Sequence, residues 1–235
     1  MKILFVSDTH ERHNQMEDLP EADIFVHAGD FMNGGRSDIE IASFNHWLDS
    51  VPVKPENRLI CAGNHDILFD KTHKCSGPEE AGKARRMLRN GVYLEEEAIT
   101  VKGIKFFFSP WSPEFYGWGF NAARGEEIKK HWDKIPLDTE ILVTHGPPYG
   151  ILDQITPTLD SPLTSQHLGC EELYKKLPEL KSLKIHVFGH IHGSRGTYQQ
   201  HTNGVPKGPL FINASFLTER YRPWPDKPGY TLVEL

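Results

Sequence analysis

Again and again in this chain, an apolar run ends in a short cluster of aspartate, asparagine or histidine. The clusters are Asp8-Thr9-His10, Gly29-Asp30, Gly63-Asn64-His65-Asp66, Thr144-His145-Gly146 and Gly189-His190-Ile191-His192. In the third, Gly63 follows Arg58-Leu59-Ile60-Cys61-Ala62 and lets the backbone turn sharply off a strand end. An amide, an imidazole and a carboxylate then face one crevice. One such cluster is ordinary turn chemistry. A series of them constrains the fold, because open α/β sheets bind ligands outside the carboxyl ends of their strands.

The apolar runs at 2–7, 23–28, 58–62, 104–108, 140–144, 184–188, 209–213 and 229–234 read as strands. Most lack a clean polar alternation, which predicts burial on both faces. Helical spacing appears between them. In 37–51, Ile41, Phe44, Leu48 and Val51 share a face and Ser37 can act as N-cap. Residues 79–90 end in Asn90-Gly91, a helix stop. Residues 125–132 and 166–177 are two more, the latter with Cys170, Leu173 and Leu177 on one face. Alternating strands and helices predict α/β layers, and 235 residues suit one domain, 1–235. The Pro/Gly-rich stretches 109–120 and 146–162 read as long loops at a site rather than linkers.

Composition excludes several functions. With 26 Lys and Arg against 32 Asp and Glu, the net charge of −6 argues against a long nucleic acid as partner. Lys83, Arg85, Arg86 and Arg89 read as a solvated helix face. The N-terminal run is too short for a signal peptide, and no window reaches the ~18 apolar residues of a membrane span. Cys61, Cys75 and Cys170 are odd in number and lack CxxC spacing, so a reducing, cytoplasmic setting is expected. No Walker loop or Gly-x-Ser-x-Gly elbow occurs. Gly117-Trp118-Gly119-Phe120-Asn121-Ala122 matches a dinucleotide fingerprint in form only, because Pro110 and Pro113 break the strand–turn–helix context.

The strand-end clusters bring together Asp8, His10, Asp30, Asn64, His65, His145, His190 and His192. Oxygen and imidazole donors without thiolate suit Mn, Fe, Zn or Co. So many donors exceed what one catalytic ion uses, and two metals sharing a bridging carboxylate are the economical reading. Metals ~3.5–4 Å apart clamp the attacking and leaving oxygens of an in-line phosphoryl displacement. Of the thirteen histidines, those outside the clusters, including His13, His27, His73 and His186, read as structural. The loop aromatics Trp111, Phe115, Tyr116 and Trp118 either wall a pocket, stacking on a base, or pack the loop itself.

The ordered series Asp-x-His, Gly-Asp, Gly-Asn-His-Asp, Thr-His-Gly and Gly-His-x-His resembles the calcineurin-like metallophosphoesterase superfamily. Four further stretches are similar to its MPPED-type branch of brain metallophosphoesterases and bacterial relatives. They are Ser109-Pro110-Trp111-Ser112-Pro113, Gly117-Trp118-Gly119-Phe120-Asn121, His145-Gly146-Pro147-Pro148 and Phe211-Ile212-Asn213-Ala214-Ser215. The resemblance implies a four-layer α/β/β/α sandwich of two mixed sheets. It implies a first metal site of Asp8, His10, Asp30 and His192, and a second of Asp30, Asn64, His145 and His190, with Asp30 bridging. Some relatives have glycine at the position of His190; this chain keeps the histidine.

By the same resemblance, two divalent ions, manganese first, with iron, zinc, cobalt or magnesium as others, hold a bridging hydroxide that attacks phosphorus. His65 contacts the phosphate and protonates or stabilises the leaving oxygen, while Asp66 either orients that ring or shapes the turn. Asn64, His65, Trp111 and Trp118 are the expected substrate contacts. The implied activity is a phosphodiesterase on small, including cyclic, nucleotides. A phosphomonoesterase or nucleotide pyrophosphatase on the same metals, and a low-activity nucleotide-binding module, are the alternatives. Family analogy allows a homodimer, for which no apolar stripe in the sequence speaks.

Overall fold

The structure, a computed structural model, describes residues 1–16, 18–155 and 166–235. In chain order it begins with β1 (Lys2–Val6), β2 (Ile24–Ala28), α1 (Asp38–Leu48), β3 (Arg58–Cys61), α2 (Gly77–Met87) and β4 (Val92–Tyr93). Then come β5 (Glu97–Val101), β6 (Ile104–Ser109), β7 (Ser112–Pro113), β8 (Asn121–Ala122), α3 (Glu126–Trp132) and β9 (Ile141–Thr144). The chain ends with α4 (Glu171–Lys176), β10 (Ile185–Phe188), β11 (Gly196–Thr202), β12 (Val205–Asn213) and β13 (Thr231–Glu234).

Among the described residues, eleven of these strands form two mixed sheets, and β7 and β8 pair only with each other. The first has the order β13-β1-β2-β3-β4, with β1 to β4 parallel and β13 antiparallel on the β1 edge. The second has the order β11-β12-β10-β9-β6-β5, parallel at its centre with an antiparallel strand on each edge. Ile3, Phe5, Val26 and Leu59 of the first sheet meet Phe106, Phe108, Val143 and Val187 of the second in the central core. On the outer face of the first sheet, Leu4, Phe25 and Ile60 pack against Phe44, Trp47 and Ala84 of the helices. On the outer face of the second, Phe107 and Leu142 pack against Ile128, Trp132 and Leu173. Helix, sheet, sheet, helix is the four-layer order expected. Fully burying each such side chain contributes roughly 1.5–3 kcal/mol, so the strand cores form a stiff platform for whatever their ends carry.

All eight strand expectations hold, within three residues except that β12 starts earlier, at Val205. The missed strands β4, β5, β7, β8 and β11 are short or exposed, with no apolar run to mark them. Ser37 is the N-cap of α1, with its side chain accepting from Ile39 N at 3.2 Å in a capping box completed by Glu40. α2 ends at Met87, before Asn90-Gly91. α4 starts at Glu171 rather than 166, because Cys170 is extended and bridged to Pro148, and Gln154 to His167. The loop 109–120 folds back on itself through β7 and β8; of the expected loop 146–162, residues 156–162 lie outside the described residues. On α2, Lys83 bonds Asp38 and Arg85 bonds Glu95, so the basic face is partly neutralised.

His186, in the centre of β10, is fully buried, and its Nε2 donates to Thr144 Oγ1 at 2.9 Å. Burial alone pulls its imidazole from 6.5 down to about 3. The unfolded chain therefore takes up a proton that the folded one refuses. The stability tied to His186 is complete above the ordinary histidine value and is lost as pH falls from 6.5 towards 3. His186→Gln keeps a donor for Thr144 and removes the titration. Urea midpoints measured at about pH 7 and about pH 5 should fall less in the variant than in the parent.

Candidate metal centre

Each expected ligand follows the end of a parallel strand. Asp8 and His10 follow β1, Asp30 follows β2, Asn64 follows β3, His145 follows β9, and His190 and His192 follow β10. The two sheets thus contribute from both sides of one crevice. Four of these residues sit in the left-handed backbone region that side chains other than glycine rarely adopt: Asp8 (φ 54°), His10 (40°), Asp30 (58°) and His190 (68°). Such conformations cost of order 1–3 kcal/mol each and persist only where surrounding structure imposes them. Two glycines leave room for the carboxylates. A Cβ on Gly63 would lie 2.3 Å from Asp30 Oδ1, and one on Gly189 would lie 2.0 Å from Asp8 Oδ2.

The donor atoms gather in overlapping groups: Asp8, His10 and His192; His10, Asp30 and His65; Asp30, His145 and His190. Asp30 Oδ2 lies 3.7 Å from His10 Nε2 on one side and 3.3 Å from His145 Nε2 on the other. Asp30 Oδ1 is held by the His65 backbone N–H at 2.7 Å. One carboxylate oxygen therefore faces both groups, as a bridging ligand must. Asp8 Oδ1 lies 3.4 Å from His192 Nε2, and Asn64 Oδ1 lies 2.9 Å from His145 Nε2.

The donor set fits metal ions. His10 Nδ1 donates to Met32 O at 3.2 Å, His145 Nδ1 to Ala28 O at 3.0 Å and His192 Nδ1 to Thr218 O at 3.1 Å. A carbonyl can only accept, so each Nδ1 carries a proton and each Nε2 is turned into the site, where it can ligate a metal ion or carry a second proton. His10 Nε2 and His192 Nε2 nevertheless face each other at 3.2 Å, and His145 Nε2 faces an amide oxygen. Donor atoms brought this close call for positive charge between them, from a metal ion or from a second proton on a ring.

The proton affinities agree. Burial, and behind it His192 and His65, outweighs Asp30 in lowering His10 to about 3, and burial with His145 does the same for His190. Burial opposes charge on Asp30, yet His145, His65 and His10 hold it well below the carboxylate range. Burial opposes charge on His145 as well, but Asp30 and Asp8 push that ring up to about 9. The site demands positive charge beside Asp30, which a proton or a metal ion supplies.

Asp66 is fully buried and touches no ring. Its Oδ2 accepts from the backbone N–H of Asp30 at 2.8 Å and of Gly63 at 2.7 Å, and its Oδ1 from that of Met32 at 2.9 Å. Of the two roles open to Asp66, the structure supports the turn: it ties the Asp30 loop to the Gly63 loop. The His65 ring is oriented instead by Asn33 O, to which Nδ1 donates at 2.6 Å, and by Trp118, stacked at 4.0 Å. Asn33 is held in turn by Glu40 of α1, which accepts its N–H at 3.0 Å.

Beside the ligands lies a cleft of about 570 Å³, lined by His65, Trp118, Phe115, Tyr116, Arg124, Ile191, Glu219 and Tyr221 among others. Trp118 lines this cleft. Trp111, expected beside it, lies elsewhere: it stacks on His131 at 3.8 Å and packs edge-on against Phe120. The pairing of Ser112 with Asn121 and Pro113 with Ala122 puts Trp118 at the turn and Trp111 at the base of this loop. His73 Nε2 donates to Gly117 O at 3.1 Å and so anchors the turn.

Sequence reasoning missed Ser215, Thr218, Glu219 and Tyr221. Ser215 Oγ donates to Asp8 Oδ2 at 2.8 Å and to Asn213 Oδ1 at 2.7 Å. Its signal was present, because Asn213-Ala214-Ser215 ends a strand just as the ligand clusters do. Nothing in the sequence marks the other three.

Comparisons with known proteins show the family of this chain. A family model described as calcineurin-like phosphoesterase matches residues 1–194. Human metallophosphoesterase domain-containing protein 1 is 35% identical over 237 residues, covering 94% of this chain and 68% of its own length. A UPF0046 protein of Caenorhabditis elegans is 33% identical over 221 residues, covering 92% of this chain and 69% of its own. One solved structure superposes with a TM-score of 0.57 at 15% identity, covering 91% of this chain and 90% of that one. At that identity the likeness speaks for the fold.

If Asp30 bridges, its loss should differ from the loss of a ligand to one site. Asp8→Ala should retain about half of the manganese bound by the parent, and Asp30→Ala close to none, by elemental analysis of dialysed, folded protein. Equal retention by the two variants would sink the bridging geometry.

Proposed function

The chain belongs to the calcineurin-like phosphoesterase family, and from that premise we propose that it is a dinuclear metal-dependent phosphodiesterase acting on small nucleotides, cyclic ones included. The observation that carries the reading is the single Asp30 oxygen facing two groups of donors, with His65 beside them and on the wall of the cleft. Asp8, His10, Asp30 and His192 would hold one ion, and Asp30, Asn64, His145 and His190 the other. Manganese is the ion we assign first, on the mixed oxygen and imidazole donors without thiolate. When bound, two such ions polarise the phosphoryl group and lower the pKa of a water at the site.

The chain's own residues account for the rest. His65 spends Nδ1–H on Asn33 O, so Nε2 is the nitrogen left to donate a proton to the leaving oxygen. Trp118 lies flat against that ring and keeps it in the plane of the cleft wall. Asp66 ties the Asp30 and Gly63 loops together, which fixes the spacing between the bridging carboxylate and Asn64. Phe115, Tyr116 and Trp118 offer π-faces to a base.

The charge of the lining favours a diester. Among the described residues, Arg124 is the one cationic side chain of the lining, histidines aside, and it is already bonded to Leu168 O, Gly169 O and Glu171. A monoanionic diester asks less of the walls than a dianionic monoester or a pyrophosphate. Among the described residues no helix is long and apolar enough to cross a membrane, and the three cysteines are unpaired. These features accord with a cytoplasmic enzyme and a small soluble substrate.

Metal-stripped protein refilled with manganese should cleave bis(p-nitrophenyl) phosphate faster than p-nitrophenyl phosphate, with neither cleaved before refilling. Faster monoester cleavage would favour the phosphatase. Absence of both, with manganese bound, would favour the binding module. His65→Ala should lower kcat by about 10²–10⁴-fold without loss of manganese, the range for removing a general acid.

A further inference from the structure

Residues 195–235 lie beyond the part of the chain that matches the family model, yet one turn among them is docked on the metal centre. Thr218 O accepts from His192 Nδ1 at 3.1 Å, and Glu219 Oε1 accepts from Gly193 N at 2.8 Å. A Cβ on Gly193 would lie 2.8 Å from that same Glu219 oxygen, so the glutamate approaches the backbone closely there. The turn is closed by Tyr221 N donating to Thr218 O at 2.8 Å, by Thr218 N donating to Arg222 O at 2.8 Å and by a bridge between Leu217 and Pro223. It is pinned from below by Trp224 Nε1 donating to Leu217 O at 3.2 Å.

This construction serves one side chain. Tyr221 adopts φ 55°, the left-handed conformation it shares with Asp8, His10, Asp30 and His190. A bulky residue held there signals a constraint imposed by its surroundings. Its ring centroid lies 4.8 Å from that of His10, 5.3 Å from that of His192 and 6.4 Å from that of His65. The ring lines the cleft on the side of the first ligand group, and 37% of the residue is exposed. Among the described residues, no protein group hydrogen-bonds its hydroxyl. A phenol held rigidly over three imidazoles, with its donor unspent, is placed for a ligand.

We propose that Tyr221 is a substrate-contacting residue, its hydroxyl donating to a non-bridging oxygen of the phosphate group bound over the metal ligands. The proposal rests on the phosphoesterase reading for its substrate and on the geometry of the turn for its residue. Tyr221 then supplies a neutral donor near His65, in a cleft whose lining arginine, Arg124, is otherwise engaged. A hydrogen bond from a neutral donor to a charged oxygen is among the stronger kinds, and its loss corresponds to about 10- to 100-fold.

The decisive variant is Tyr221→Phe, which keeps the ring over His10 and His192 and removes only the hydroxyl. On manganese-loaded protein, kcat/KM for bis(p-nitrophenyl) phosphate should fall about 10- to 100-fold, and the Kd for inorganic phosphate by titration calorimetry should rise by a similar factor. Manganese content should stay at the parent level. A Tyr221→Phe protein with parental kcat/KM and phosphate affinity, while Tyr221→Ala is impaired, would make the ring a packing element and overturn the proposal. Loss of manganese from Tyr221→Phe would overturn it too, by moving the residue's role to the metal site. Should the parent cleave no ester at all, the phosphodiesterase reading fails, and phosphate binding still decides for Tyr221: weaker in Tyr221→Phe supports it, equal refutes it.

Discussion

Buried nitrogen and oxygen donors turned towards one another govern this structure. His10 and His192 meet through Nε2 at 3.2 Å, and His145 Nε2 meets Asn64 Oδ1 at 2.9 Å. Each ring is oriented by a backbone carbonyl on its far side, at Met32, Ala28 or Thr218, which accepts its Nδ1–H. The carbonyls belong to different parts of the chain, so no local sequence preference could produce the arrangement. Burying carboxylates and unpaired imidazole nitrogens together is costly unless a cation compensates them. The protein is built to make that cost recoverable by metal.

The means is a stiff platform with strained ends. β1, β2, β3, β9 and β10 are buried along nearly their whole length, and their cores interlock between the two sheets. That packing can hold Asp8, His10, Asp30 and His190 in left-handed conformations against their own preference. Asp66 then links the loops after β2 and β3 through three backbone donors. Burial and the neighbouring Asp30 push its carboxyl up, against those donors. The structure accepts that conflict because the same carboxylate sets where Asp30 stands.

Most of this was legible in the sequence. Apolar runs ending in polar clusters located the strands and placed Asp8, His10, Asp30, Asn64, His145, His190 and His192 in one crevice. Pattern works there because a strand buried on both faces has a strong signature and its end is unambiguous. It failed where long-range pairing decides. Trp111 and Trp118 look equivalent in sequence, and only the register of β7 on β8 separates the one stacked on His131 from the one stacked on His65. For the same reason the helix expected from 166 begins at Glu171: the bridges from Pro148 to Cys170 and from Gln154 to His167 draw the preceding residues into extended chain. Asp66 was ambiguous for a different reason, since a carboxylate after His65 is equally suited to a ring and to a backbone turn.

The C-terminal segment shows why a site can outrun its motif. The recognisable ligands end at His192, but the geometry of that histidine depends on Thr218 O, and that of Asp8 on Ser215. Ser215 sits where residues 214–216 extend the first sheet, with Ser7 N donating to Ala214 O at 3.0 Å and Phe216 N donating to Ser7 O at 2.7 Å. Arg195 fastens the same segment from beneath, donating to the carbonyls of Ser215, Pro228 and Tyr230. Those bonds use backbone groups at nearly every position, so almost any side chain satisfies them and the sequence carries little trace. What the backbone does at 214–222 is thus as much part of the candidate metal centre as the histidines are, and it is the part that brings the Tyr221 ring against His10 and His192.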